Sequence, residues 1–213
     1  AGAIETQGSY LTDHPEIDIV YGDCAFIDAH GKVLEHLYSR PFSFLELLHF
    51  NIPHQPTVFL RQQAVAQAGP LDLSYNHALD SEYWLRLHAA GHRIAYNPHL
   101  VAAYRLHSAS KTGACHERAY VEWERLIKAY APQDMYRQVM ADLCLAVAID
   151  DLGQGRMKSS LNHARKSIAL RPTRRLALYL ASLLDSIVGS SIYDKLVRFH
   201  TKQLNRSRSQ MED

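Results

Sequence analysis

Asp80 stands at the head of Ala78-Leu79-Asp80-Ser81-Glu82-Tyr83-Trp84-Leu85-Arg86-Leu87, a stretch with helical spacing of its apolar residues. Further along, His107 closes a strand-like run within Tyr104-Arg105-Leu106-His107-Ser108-Ala109-Ser110-Lys111-Thr112. An acid opening a helix and a histidine ending a strand can reach one site from opposite sides. A carboxylate at a helix start is held ionised by the helix dipole. It therefore suits a general base that accepts a proton only as a hydroxyl attacks. A neutral imidazole suits a divalent ion, and Arg105 or Lys111 suits a phosphate. Each residue also has a plainer reading. An aspartate at this position is a favoured N-cap, and His107 is one of 13 histidines. Glu82 reads as first-turn dipole compensation, and Tyr83, Trp84 and Leu87 read as core.

Alternating elements must position these residues. The pattern predicts a helix over 3–13, a strand over 17–21 ending at Gly22-Asp23, and a second extended piece over 24–27. A tight turn at Asp28-Ala29-His30-Gly31 leads to a hairpin partner over 32–38. A short helix is expected over 42–50. Pro53 and Pro56 bracket His54-Gln55 in a rigid loop that feeds a strand over 57–60. A helix over 62–68 stops at Gly69-Pro70. The helix carrying Asp80 is expected over 80–90, followed by strands over 93–96 and 100–106 that break at Asn97-Pro98. Strands and helices thus mix in one α/β layer system. Beyond Gly113 strand signals vanish, and helices are expected near 115–130, 134–151, 156–170, 174–188 and 191–203. The domain boundary is accordingly expected between residues 113 and 114. Gly155, Ser160 and Ser167 to Pro172 fall where a tetratricopeptide-type hairpin would place them, but a solenoid needs about three such units. An ordinary antiparallel helix pair accounts for the same residues.

Composition sets the outer limits. With 213 residues, 47% hydrophobic and 21% charged, the chain can bury a sizeable core and is not a disordered polymer. No apolar run approaches the roughly 20 residues of a membrane span. The first residues lack the basic start and apolar centre of a signal peptide. Cys24, Cys115 and Cys144 are odd in number and widely spaced, which favours small buried hydrophobes in a reducing compartment, so a cytoplasmic location is expected. Charge is distributed unevenly. Residues 1–155 carry 11 Lys+Arg against 18 Asp+Glu, whereas residues 156–208 carry 12 against only Asp185 and Asp194. That basic surplus suits an anionic partner such as the inner membrane surface. Nucleic acid is a poor fit, because no aromatic interleaving accompanies the charge.

From about Pro15 to Thr112 the chain resembles the C-terminal half of a family-two glycosyltransferase catalytic domain of the GT-A fold. The motifs occur in order: Ile19-Val20-Tyr21-Gly22-Asp23, Ile27-Asp28 with Gly31-Lys32, and Gln55-Pro56-Thr57-Val58-Phe59-Leu60-Arg61. Gly69-Pro70-Leu71-Asp72, Asp80 to Leu87, Gly91, Tyr104-Arg105-Leu106-His107 and Ser110-Lys111-Thr112 follow. The resemblance implies a partial GT-A (Rossmann-like) domain with a helical C-terminal extension. It implies inverting transfer of a sugar from a nucleotide-diphosphate donor to an acceptor hydroxyl in cell-surface polysaccharide or glycan synthesis. The acceptor would be a glycan, a lipid-linked sugar or a protein.

The same resemblance implies residue roles. Asp80 matches the family's base, and His107 matches the histidine that completes a Mg or Mn site in many GT-A enzymes. His54, Gln55, Arg105 and Lys111 fall where substrate contacts arise, and Asp23 reads as structural. The family's Asp-x-Asp metal motif does not occur anywhere in the chain. It is expected upstream of Ala1, together with the nucleotide-binding half, so this chain by itself is expected to be inactive. The competing reading is a non-catalytic helical interaction module built on the tetratricopeptide-like hairpin.

Overall fold

The computed structural model describes residues 2–50, 53–106 and 116–171, with Leu176, Tyr179, Leu180 and Leu183 in a further helical stretch. The chain divides into two compact units, Ala1–Pro132 and Gln133–Asp213. That division places the helix at 116–130 in the first unit. The physical reason is side-chain anchoring of that helix to residues 72–82, set out below.

The first unit begins with helix α1 (Ala3–Asp13) and strand β1 (Ile19–Ile27). Strand β2 (Val33–Leu37), helix α2 (Phe44–Phe50), a 3-10 turn (Gln55–Thr57) and strand β3 (Phe59–Leu60) follow. Helices α3 (Gln62–Ala68) and α4 (Leu79–Ala89), strand β4 (Ile94–Arg105) and helix α5 (His116–Tyr130) complete it. Strand β1 is the centre of the sheet. It pairs in parallel with β4 along its length, and antiparallel with β3 at Ile19-Val20 and β2 at Cys24–Ile27. Ile19, Val20 and Tyr21 are fully buried, as a strand flanked on both edges and covered on its faces should be.

Two departures from the sequence pattern have one cause. The expected break at Gly22-Asp23 does not interrupt β1, and Asn97-Pro98 does not end β4. In the parallel pairing Tyr21 faces Tyr96 while Asp23 faces Leu100, so Asn97, Pro98 and His99 bulge opposite Gly22. A Cβ at Gly22 would lie 2.6 Å from the His99 carbonyl oxygen and 2.8 Å from Val101 Cγ2. Only glycine admits that approach, and a bulge is where a sheet tolerates proline. The buried polar groups there are satisfied. Asn97 donates to Gln7 on α1 at 3.0 Å, and Gln7 donates to the Thr57 carbonyl at 3.4 Å. Asp23 accepts from the Ser39 backbone N–H at 2.6 Å and the Tyr96 hydroxyl at 2.7 Å. Both donors reach the same carboxylate oxygen, so this buried group is hydrogen-bonded within the strand.

The strand expected over 57–60 is also shorter. Pro56 presets the backbone for a 3-10 turn, whose carbonyls at His54 and Gln55 accept from Thr57 and Val58. Only Phe59 and Leu60 remain to pair with β1. Helix α4 buries Ser81 to Leu85 and Leu87. Full burial of Leu85 and Leu87 contributes about 2 kcal/mol each.

The second unit is a hairpin of α6 (Gln133–Gly153) and α7 (Met157–Leu170). Gly155 turns the chain at a φ of 72°. Asp151, buried at the turn, accepts from Arg156 Nε at 2.8 Å and lies 3.2 Å from His163 Nδ1. Small residues allow close approach, and Ser160 donates to the Ala148 carbonyl at 2.7 Å. Leu145, Ala148, Leu152, Ala164 and Tyr179 form the core of the pair. At the open end Arg171 reaches Gln138 and Arg137 reaches the Leu170 carbonyl. This antiparallel pair is what the sequence pattern predicts, and nothing in it requires a tetratricopeptide array. Helices expected at 174–188 and 191–203 lie largely outside the described residues. Among the described residues no helix is long and apolar enough to cross a membrane.

Candidate active site

Asp80 is the second residue of α4 rather than its N-cap, which is Ala78. Ala78 has no side chain to accept a backbone N–H. Asp80 Oδ1 accepts from the Ser81 N–H at 2.8 Å, a bond that fixes the carboxylate against the first turn. The half-buried carboxylate therefore sits in the first turn of α4.

His54 approaches from the proline-bracketed loop. Its carbonyl accepts both the backbone N–H and the hydroxyl of buried Thr57, at 2.9 and 2.7 Å, which locks the loop. Burial pushes the His54 imidazole below its ordinary pKa of 6.5, and the negative charges of Asp23 and Asp80 pull it partly back. Both carboxylates thus lie within electrostatic reach of the His54 ring. Gln55, next to His54, is exposed and opens the 3-10 turn.

Arg105 is used differently. Its guanidinium donates to the carbonyls of Asp28 and Ala29, both at 2.8 Å, and so clamps the β1–β2 turn. It pairs in the sheet with Ile27, four residues along β1 from Asp23, or roughly 13 Å. The structure does not bring it to Asp80 and His54. His107 and Lys111 lie outside the described residues.

Sequence reasoning missed several supports. Glu82, in the first turn of α4 as expected, is also a buried ion-pair partner. Arg86 grips it through two bonds of 3.0 Å and also donates to the carbonyls of Ala68 and Pro70, tying α4 to the end of α3. Tyr130 on α5 donates to Glu82 at 2.9 Å; burial, then the Glu82 contact, push its phenol up to about 12. Ser39 and Tyr96, which satisfy Asp23, carry no recognisable motif. The Glu82–Arg86 pair alone had a signal, its i,i+4 spacing.

Among the described residues no three His, Cys, Asp or Glu side chains come together as a potential metal site.

No family model matches the sequence. The chain is 32% identical over 108 residues to the amylovoran biosynthesis glycosyltransferase AmsE of Erwinia amylovora. The match takes in 47% of this chain and 38% of that protein. The chain is thus similar over part of its length to a glycosyltransferase, and spans well under half of that relative's length.

Proposed function

We propose that this chain is the acceptor-side part of an inverting glycosyltransferase of family two, with Asp80 as its catalytic base. The observation that carries the reading is the partial similarity to a glycosyltransferase, with Asp80 in the first turn of α4 and within electrostatic reach of His54. In the proposed reaction an acceptor hydroxyl oxygen bonds to the anomeric carbon as the bond from that carbon to the diphosphate oxygen breaks. The hydroxyl proton passes to Asp80, and the nucleoside diphosphate leaves. Neutral His54 offers one hydrogen bond to a sugar hydroxyl, and exposed Gln55 offers both a donor and an acceptor beside it.

A divalent ion, Mg or Mn, belongs to this reading as the group that would neutralise the departing diphosphate. Its ligands are proposed to come from an Asp-x-Asp segment upstream together with His107, and Lys111 is proposed to face phosphate. The acceptor is a glycan or lipid-linked sugar, and the proposed setting is cytoplasmic. The basic surplus beyond residue 155 is available to an anionic membrane surface.

The test is Asp80→Asn in the full-length gene product that contains this chain. The amide keeps the size and the Ser81 contact but cannot accept the proton. Transfer should fall by about 10² to 10⁴, with donor KM little changed. Transfer at the unaltered rate would remove Asp80 from the base role.

A further inference from the structure

We propose that Glu122 on α5 is a positioning residue for Asp80, acting through the backbone that leads into α4. The proposal rests on Asp80 being the base. Its physical basis is independent of that reading.

Glu122 Oε2 accepts from three successive backbone N–H groups, Asn76 at 3.0 Å, His77 at 2.7 Å and Ala78 at 2.9 Å. Three amides converging on one carboxylate oxygen form an anion nest, here filled by the protein's own side chain. Each is a charge-assisted bond, roughly twice as strong as a neutral one. Helix α4 needs this partner because its N-cap, Ala78, supplies no side-chain acceptor. Glu122 also brings a negative charge to the positive end of that helix.

The rest of α5 holds the same segment. Arg125 donates to the Ser74 hydroxyl at 2.9 Å and lies over the Tyr75 ring at 4.2 Å. Tyr130 reaches Glu82. Helix α5 thus grips the chain on both sides of Asp80, from Ser74 to Glu82. Ala78 is two residues before Asp80, so release of its N–H lets the first turn of α4 unwind and the carboxylate shift. A displacement of about 1 Å in a reacting group costs on the order of 10²-fold in rate.

The experiment places Glu122→Ala and Glu122→Gln in the full-length gene product, each with Asp80 intact and with Asp80→Asn. Amide hydrogen exchange is read at Asn76, His77 and Ala78, with Leu85 and Leu87 as controls for the fold of α4. Glu122→Ala should accelerate exchange at the three amides, leave the controls unchanged, and lower kcat by about 10²-fold with acceptor KM nearly constant. Glu122→Gln retains an acceptor oxygen and should recover part of kcat. On the Asp80→Asn background, removal of Glu122 should cost nothing further, because the two residues act as one unit. Unchanged exchange in Glu122→Ala overturns the proposal. So does an equal loss of rate on the Asp80→Asn background, which would mark a purely structural anchor. If Asp80→Asn alone transfers at the normal rate, the base assignment falls and takes the proposal with it. The exchange data then still report whether the nest exists, so the two failures are distinguishable.

Discussion

At the residue scale, the most telling group is His54. Its depressed pKa comes first from burial, which favours the neutral ring. In the unfolded chain the ring takes a proton near pH 6.5, whereas in the folded protein it does so only at lower pH. Between those two values the unfolded chain binds more protons, so acid favours unfolding there. Stability from this residue is intact above pH 6.5 and is lost as pH falls toward the depressed value. Thermal melts from pH 5 to 8 should show the wild type losing ground relative to His54→Gln on the acid side only. Parallel curves would mean that His54 is not held neutral. The sequence placed His54 between two prolines, and the family resemblance implied a substrate contact for it. It could not say that Asp23 and Asp80 lie within electrostatic reach, because those residues are 31 and 26 positions away.

At the scale of elements, α4 was legible and its supports were not. Apolar residues at helical spacing and Gly91 past the end located it to within one residue of Leu79–Ala89. Its N-terminus was misjudged because Asp80 has the chemistry of a cap, while the real cap position is an alanine served by a distant glutamate. Arg86 joins α4 to the α3 end through Ala68 and Pro70 and balances Glu82, whose side chain is only 5% exposed. Arg86→Ala leaves that carboxylate with Tyr130 as its remaining side-chain donor and should cost about 3 kcal/mol, read by chemical denaturation. A change below about 0.5 kcal/mol, the range of an exposed i,i+4 pair, would mean that the pair is effectively solvated. The β4 bulge was illegible for a similar reason. Asn97-Pro98 ends a strand by local rule, and only the glycine across the sheet lets the strand continue.

At the scale of the whole molecule, the two compact units divide between Pro132 and Gln133 rather than where strand signals cease. A change in composition marks where sheet residues end, but it cannot detect that the next helix is bound to residues 72–82. The consequence is testable by truncation. A chain ending at Pro132 should keep slow amide exchange at Asn76, His77 and Ala78, whereas one ending at Gly113 should lose it. Equal exchange in both would return α5 to the second unit. The helix pair α6–α7 was anticipated closely, since its turn glycines and small residues are local signals.

Local pattern determined the alternation of strands and helices, the helix pair, and the candidacy of Asp80. Those features depend on residues within one or two turns of each other, where periodicity, proline and glycine act directly. Tertiary structure alone decided that β1 runs unbroken through Gly22-Asp23, that Arg105 serves a turn, and that Glu122 holds the entrance to α4. In each case a polar group or a close backbone approach is met by a partner far along the chain. Such a requirement is strict in energy, but any suitable donor, acceptor or glycine can meet it from any position in the sequence.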